Sequence, residues 1–226
     1  MTELVVSLPD LVRQWQLGWG LAKGLAPAAE ARGGLHVVLG QPGRHREVVA
    51  VRPDEDPDSL RDLAEEVAAS ADADWLTVPT NRPEEATAVL LAAGLTLLDR
   101  PEWLMTTDLA GHPTQAAPEP YAVTTTVAGP VIEAEVRDAS GTVAARGTMG
   151  VAGTEAVAHN IRTDPEHRRL GLASVVMSAL VLRARERGAT AGLLIASADG
   201  QHLYSALGWV RRATILIARN ARAATG

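Results

Sequence analysis

The sequence predicts an α/β (α+β) protein made of two successive halves, and three observations carry that prediction. Two pairs of short apolar runs are joined by turn residues: Leu35–Leu39 to Val48–Val51 through Gln41-Pro-Gly-Arg44, and Val131–Val136 to Thr142–Gly150 through Asp138-Ala-Ser-Gly141. This is the pattern of antiparallel hairpins. Segments of helical period follow each hairpin and alternate with apolar strand-like runs. Between Ala110 and Pro120 the chain is rich in Pro, Gly and Ala and loses all periodicity. It therefore reads as a linker, 111–120, between a domain of residues 1–110 and one of residues 121–226.

Taken in order, Ser7-Leu-Pro-Asp10 offers an N-cap, a first-turn proline and an acid that complements the helix dipole. Leu11, Trp15 and Trp19 then recur at near-helical spacing, although Gly18, Gly20 and Gly24 weaken the second half of that helix. The two tryptophans are expected in the core. After the first hairpin, Leu60–Ala69 is an amphipathic helix whose approach, Asp54-Glu-Asp-Pro-Asp-Ser59, is heavily acidic and repels anions. Trp75–Val78 reads as a strand, Pro83–Ala93 as a helix ended by Gly94, and 95–109 as one or two strands interrupted by Pro101. In the second half Ala122–Val127 opens as a strand, the second hairpin follows, and Glu155–Ile161 adds another strand. A helix over Leu172–Glu186, a strand over Gly192–Ala196, a helix over 199–207 stopped by Gly208 and a strand over 209–218 complete the order. Asn220–Gly226 is expected to be a loose tail.

The 226 residues contain no cysteine, which excludes disulfides, thiolate metal sites and a cysteine nucleophile. A net charge of −6 argues against a general nucleic-acid binder. No apolar stretch approaches the roughly 20 residues that span a bilayer, and no basic segment precedes an apolar run, so a cytoplasmic protein is expected. The scarcity of lysine, with Lys23 alone, and the absence of phenylalanine read as coding bias.

Chemistry concentrates in the stretch from His159 to Leu180. A strand ends there in a basic turn with Arg168, Arg169, Gly171 and Ala173, which leads into a helix with Val175, Val176, Ala179 and Leu180 as apolar contacts. Small residues where a loop becomes a helix let a ligand approach N–H groups that have no intrahelical partner. With the positive end of the helix dipole and two guanidinium groups, the junction suits a phosphate or pyrophosphate.

Arg168-Arg-Leu-Gly171-Leu-Ala173 resembles the Arg/Gln-x-x-Gly-x-Gly/Ala loop of the GNAT family of N-acetyltransferases. A second motif, Ala196-Ser197-Ala-Asp-Gly200 followed by Leu203-Tyr204-Ser-Ala-Leu-Gly208-Trp209, lies at the family's distance downstream. The resemblance covers about residues 121–219. It implies a mixed, mostly antiparallel sheet flanked by helices, acetyl-coenzyme A as acyl donor, a small-molecule or peptide amine as acceptor, no metal, and a homodimer as an option common in the family. By the same resemblance, backbone groups of Ile161, Arg162 and Thr163 pair with the pantetheine arm, and Arg168, Arg169, Gly171, Leu172 and Ala173 hold the pyrophosphate. Tyr204 matches the tyrosine that protonates the leaving thiolate, and Ser197 replaces an asparagine that contacts the cofactor in many members.

An ammonium acceptor needs a base before it can attack a thioester. Glu155, Val157 and His159 share one face of a strand, so His159 and Glu155 are the candidates, with Glu133 and Glu135 on the hairpin as further ones. The family inserts two helices between its first two strands to wall the acceptor pocket, yet only Ala-Gly-Pro separates Val127 from Val131 here. The first half, whose element order parallels the second and whose Leu91-Ala-Ala-Gly94-Leu95 falls where Ala206-Leu-Gly208-Trp209 falls, is the expected supplier. The sequence thus reads as two tandem GNAT-like halves, the first degenerate: Pro53–Leu63 lacks the small-residue loop and carries acids. The alternative is a non-catalytic module that senses acyl-coenzyme A or contacts a protein partner.

Overall fold

The computed structural model describes residues 6–225. Helix α1 (Leu8–Ala22) starts where the Ser7 hydroxyl accepts from the Asp10 amide and Pro9 fills a position that needs no N–H donor. Strand β1 (Ala29–Ala31), the hairpin β2 (Gly34–Gln41) and β3 (Arg44–Ala50), helix α2 (Pro57–Ala69), strand β4 (Asp74–Thr80), helix α3 (Pro83–Ala92) and strands β5 (Thr96–Leu97) and β6 (Glu102–Asp108) follow. The second half contributes β7 (Ala122–Ala128), β8 (Val131–Arg137), β9 (Val143–Ala152), β10 (Glu155–Thr163), α4 (Leu172–Glu186), β11 (Ala191–Ser197), α5 (Ala198–Ala206) and β12 (Val210–Arg219). Among the described residues no helix is long and apolar enough to cross a membrane.

All strands join one mixed sheet in the order β1-β2-β3-β4-β12-β6-β11-β10-β9-β8-β7, with β5 also beside β12. Among the described residues only β3 with β4 and β10 with β11 pair in parallel; the other pairings are antiparallel. The two halves exchange their last strands. β6 of the first half lies against β11 of the second, while β12 of the second lies between β6 and β4.

Alternation along the strands sends neighbouring residues to opposite faces. On one face, Val49, Leu104, Val157, Leu193, Ile215 and Ile217 pack with Leu11, Val12, Trp15 and Trp19 of α1. On the other, α2 and α3 cover Val48, Leu76, Val78 and Ala218, and α4 and α5 cover Met105, Ala156, Ala158, Leu194 and Ala196. Helix α1 thus supplies the wall that the short β7–β8 turn omits. It can approach β9 and β10 because Gly18 has no side chain: a Cβ there would lie 2.3 Å from Val157 Cγ2. The glycine that weakens helix propensity is required for packing.

Segment 109–121 has neither helix nor strand and runs along α4, where the Gln115 amide donates to Ser178 Oγ at 2.9 Å and Ser178 Oγ donates to the Pro113 carbonyl at 3.3 Å. The tail differs from its expectation. Asn220 is 2% exposed, and its Nδ2 donates to the carbonyls of Val67 at 3.0 Å and Asp72 at 2.8 Å, while its Oδ1 accepts from the Ala223 amide. One buried amide satisfies loose carbonyls at the end of α2, and the chain end docks as a short 3₁₀ turn.

Candidate active site

Strands β10 and β11 pair only over Glu155–Val157 and Ala191–Leu193, and then part. Beyond that point β10 is held by β9 alone, with a bulge between His159 and Arg162 and Asn160 in the left-handed region at φ 55°. The β10 backbone from His159 to Thr163 is therefore an open strand edge facing a gap.

Below the gap, Asp164 caps a short 3₁₀ turn and the chain reaches the N-terminus of α4 through Arg168 and Arg169, both exposed. Gly171 occupies the N-cap position at φ 74°, and a Cβ there would lie 2.6 Å from Gln115 Nε2, so shape and conformation both require glycine. Among the described residues no side chain caps α4, and no acid stands in its first turn. The amides of Leu172 and Ala173 remain available, at the positive end of a helix pinned by buried Leu172, Val175, Val176 and Leu180. The matching junction in the first half is closed to anions. There Asp56 caps α2 by accepting from the Ser59 amide at 3.1 Å, and Asp54 accepts from the Asn81 amide at 2.8 Å.

One cleft of about 1120 Å³ runs from the α4 loop through the gap to the floor under α1. Arg168, Arg169, Gly171, Leu172 and Ala173 line it at one end, Ile161, Arg162 and Thr163 along its side. His159, Ser197 and Tyr204 line it as well. Glu155 does not. It begins β10 in the paired portion, and its Oε1 accepts from Gln14 Nε2 at 3.3 Å and from Thr154 Oγ1 at 3.0 Å. Glu133 and Glu135 lie on β8 outside the lining, the latter 2.5 Å from Arg137.

Tyr204 on α5 is 8% exposed, and burial pushes its phenol up to about 12, so it stays protonated at neutral pH. Ser197 caps α5, its hydroxyl accepting from the Gly200 amide at 3.3 Å, and thereby fixes the helix that carries Tyr204. His159 does not titrate near neutrality as an unperturbed histidine would. Burial, with the charges of Lys23 and Arg44, pushes it down to about 4.

Several lining residues carry no signal in the sequence. Glu102 on β6 is the register partner of Ser197 on β11 and of Ile215 on β12, and burial raises its pKa against the opposing pull of Arg100 and Arg44. Glu47 and Thr77 come from β3 and β4, Arg44 and Lys23 from β3 and the end of α1. Trp15 and Trp19, stacked at 5.5 Å between ring centroids, are buried as expected and also face the cleft. Lys23 had one available signal, its being the single lysine of the chain.

Residues 153–217 match the family model described as FR47-like protein. A comparison of the sequence with curated proteins finds no match. Among solved structures, the chain is similar to a GCN5-related N-acetyltransferase from Kribbella flavida at 17% identity, with a TM-score of 0.69 over 96% of this chain and 97% of that one. It is also similar to a putative GNAT-family acetyltransferase from Novosphingobium aromaticivorans, at 18% identity and a TM-score of 0.59 over 94% and 98% of the two chains. A tandem GNAT protein from the clavulanic acid biosynthesis pathway aligns at 15% identity and a TM-score of 0.57, over 82% of this chain and 78% of that one. The chain thus has the fold of these GNAT-type structures, with an FR47-like segment in its second half and the strands of both halves on one shared sheet.

Proposed function

We propose that the protein transfers an acetyl group from acetyl-coenzyme A to a primary amine, using one cleft and leaving its first half silent as a cofactor site. The observation that carries this reading is the continuity of that cleft, from the uncapped N-terminus of α4 through the parted strands to Tyr204, His159 and Glu102. The residues present fit a coenzyme A ester. Arg168, Arg169 and the free amides of Leu172 and Ala173 suit a pyrophosphate, and the open edge of β10 suits an extended, amide-bearing arm that adds as a strand.

When bound, acetyl-coenzyme A supplies a thioester carbonyl open to attack and a thiol leaving group. Glu102 takes the first proton from the acceptor ammonium, freeing the lone pair for attack. Its raised pKa makes it a stronger base than an ordinary carboxylate. His159 is neutral at pH 7 but too weakly basic for that task, and is assigned to hydrogen bonding within the cleft. As the C–N bond forms and the C–S bond breaks, Tyr204 donates its proton to sulfur and regains one from solvent. The second amine proton also leaves to solvent, so ammonium and thioester yield amide, thiol and one proton.

The alternative, a non-catalytic acyl-coenzyme A sensor, needs no acceptor space, whereas α1 lines that part of the cleft with Trp15, Trp19 and Lys23. Thiol release from acetyl-coenzyme A across a panel of amines tests the reading. Acceptor-dependent release is expected, and cofactor binding without turnover on any amine overturns it.

A further inference from the structure

We infer that the acceptor is a small amino carboxylate with an apolar body, and that Lys23 binds its carboxylate. The inference rests on the acetyl-transfer reading of the same cleft and goes beyond it by naming the acceptor class.

The charged groups beneath α1 are paired, with one exception. Arg44 donates from Nε to Glu47 Oε2 at 2.6 Å and also approaches it through a terminal nitrogen at 2.5 Å, and its guanidinium stacks 4.6 Å from the Trp75 ring centroid. Glu47, 2% exposed, also accepts from the Thr77 hydroxyl, and Arg100 Nε lies 3.1 Å from Glu102. Lys23 has no carboxylate partner among the described residues. Its Nζ stands 5.3 Å from the centroid of Trp19, and burial, followed by the charge of Arg44, holds its pKa below the usual value against the weaker pull of Glu47, which is itself ion-paired with Arg44. A half-buried cation with no ion pair of its own is costly, and an anion on the ligand offsets that cost.

The anion is not the pyrophosphate. The charge of Lys23 is felt by His159, where the strands have just parted, whereas Arg168 and Arg169 follow Thr163. His159 to Thr163 spans roughly 13 Å of strand at about 3.3 Å per residue, and the 3₁₀ turn adds more. Between those ends the pantetheine arm is uncharged. The remaining ligand is the acceptor, whose amine faces Glu102. The stacked Trp15 and Trp19, with Ile195, Ile215 and Ile217 on the sheet, supply apolar surface for its body.

The test compares leucine, phenylalanine and tryptophan with isoamylamine, phenethylamine and tryptamine, the same amines without the carboxylate. Thiol release and calorimetric binding in the presence of coenzyme A are measured on wild type, Lys23→Met and Lys23→Arg. In wild type at least one amino acid is expected to exceed its decarboxylated partner by roughly 10- to 100-fold in kcat/KM, the range of a charge-assisted contact. In Lys23→Met that ratio falls to about one through KM, Lys23→Arg keeps it, and both variants retain the wild-type melting temperature. Decarboxylated amines equal to or better than the amino acids in wild type, or a ratio unchanged in Lys23→Met, overturn the inference and leave acetyl transfer standing. If no amine releases thiol, acetyl transfer falls instead, and Lys23-dependent binding of the amino acids over their decarboxylated partners still decides whether the cleft takes an amino carboxylate.

Discussion

Gly150 on β9 presses against Gly18 on α1 so closely that a Cβ on Gly150 would lie 2.2 Å from the Gly18 carbonyl oxygen. This backbone contact joins the helix of the first half to the strands of the second and sets the height of the cleft roof. Gly150→Ala must push α1 outward. A loss of about 1–3 kcal/mol is expected from overpacking, seen as a drop of roughly 2–12 °C in the thermal midpoint. Far-UV circular dichroism during heating checks it.

Gly171 has φ 74° and Gln115 Nε2 in the space a side chain would fill. Gly171→Glu therefore strains the junction and places an anion beside the free amides of α4. Calorimetry is expected to show acetyl-coenzyme A binding weakened about 100-fold or more. Binding retained at wild-type strength removes the assignment of Arg168–Ala173.

Glu102→Gln and His159→Gln separate the two candidate bases. Loss of Glu102 is expected to lower kcat/KM by about 10²–10⁴-fold, whereas His159→Gln keeps most of the rate. The acid limb of the wild-type profile falls as pH drops through the raised Glu102 pKa, above the ordinary 4.5. The His159 proton acts on stability instead. Its folded pKa of about 4 is below its unfolded value of 6.5, so the unfolded chain binds that proton first. Stability then declines as pH falls from about 6.5 towards 4, and His159→Gln removes that part of the slope in urea titrations at several pH values.

Tyr204 acts, in the proposed mechanism, on the leaving sulfur alone. Tyr204→Phe keeps the ring that packs 6.0 Å from Trp209 and removes only the hydroxyl. kcat is expected to fall about 100-fold, with acetyl-coenzyme A affinity and the melting temperature unchanged. Single-turnover rates and calorimetry distinguish this from a binding defect.

Asn220→Ala removes the side-chain amide that ties the carbonyls of Val67, Ser70 and Asp72 to the amides of Asp74 and Ala223. A loss of about 1–3 kcal/mol is expected from these buried hydrogen bonds. Chemical denaturation measures it, and a neutral result would mean that the docked tail is replaceable by water.

The sequence by itself determined the elements, the hairpins, the tandem plan and the basic loop. Each is written in neighbouring residues: period 2 or 3.6, a turn dipeptide, or a glycine at a loop-to-helix junction. Tyr204 was legible for the same reason, because its motif lies within one strand and one helix. Only the tertiary structure decided which half closes the other's sheet, since β6 and β12 could each have stayed with their own half by pattern alone. That exchange brings Glu102 beside Ser197 across 95 positions, and the docking of α1 brings the charge of Lys23 within reach of His159. Glu155 shows the limit most sharply. Strand alternation puts it on the same face as His159, but β10 and β11 part only after Val157, and α1 lies over the paired end. Parity chose the face of the strand; long-range packing chose which part of that face is open to a ligand.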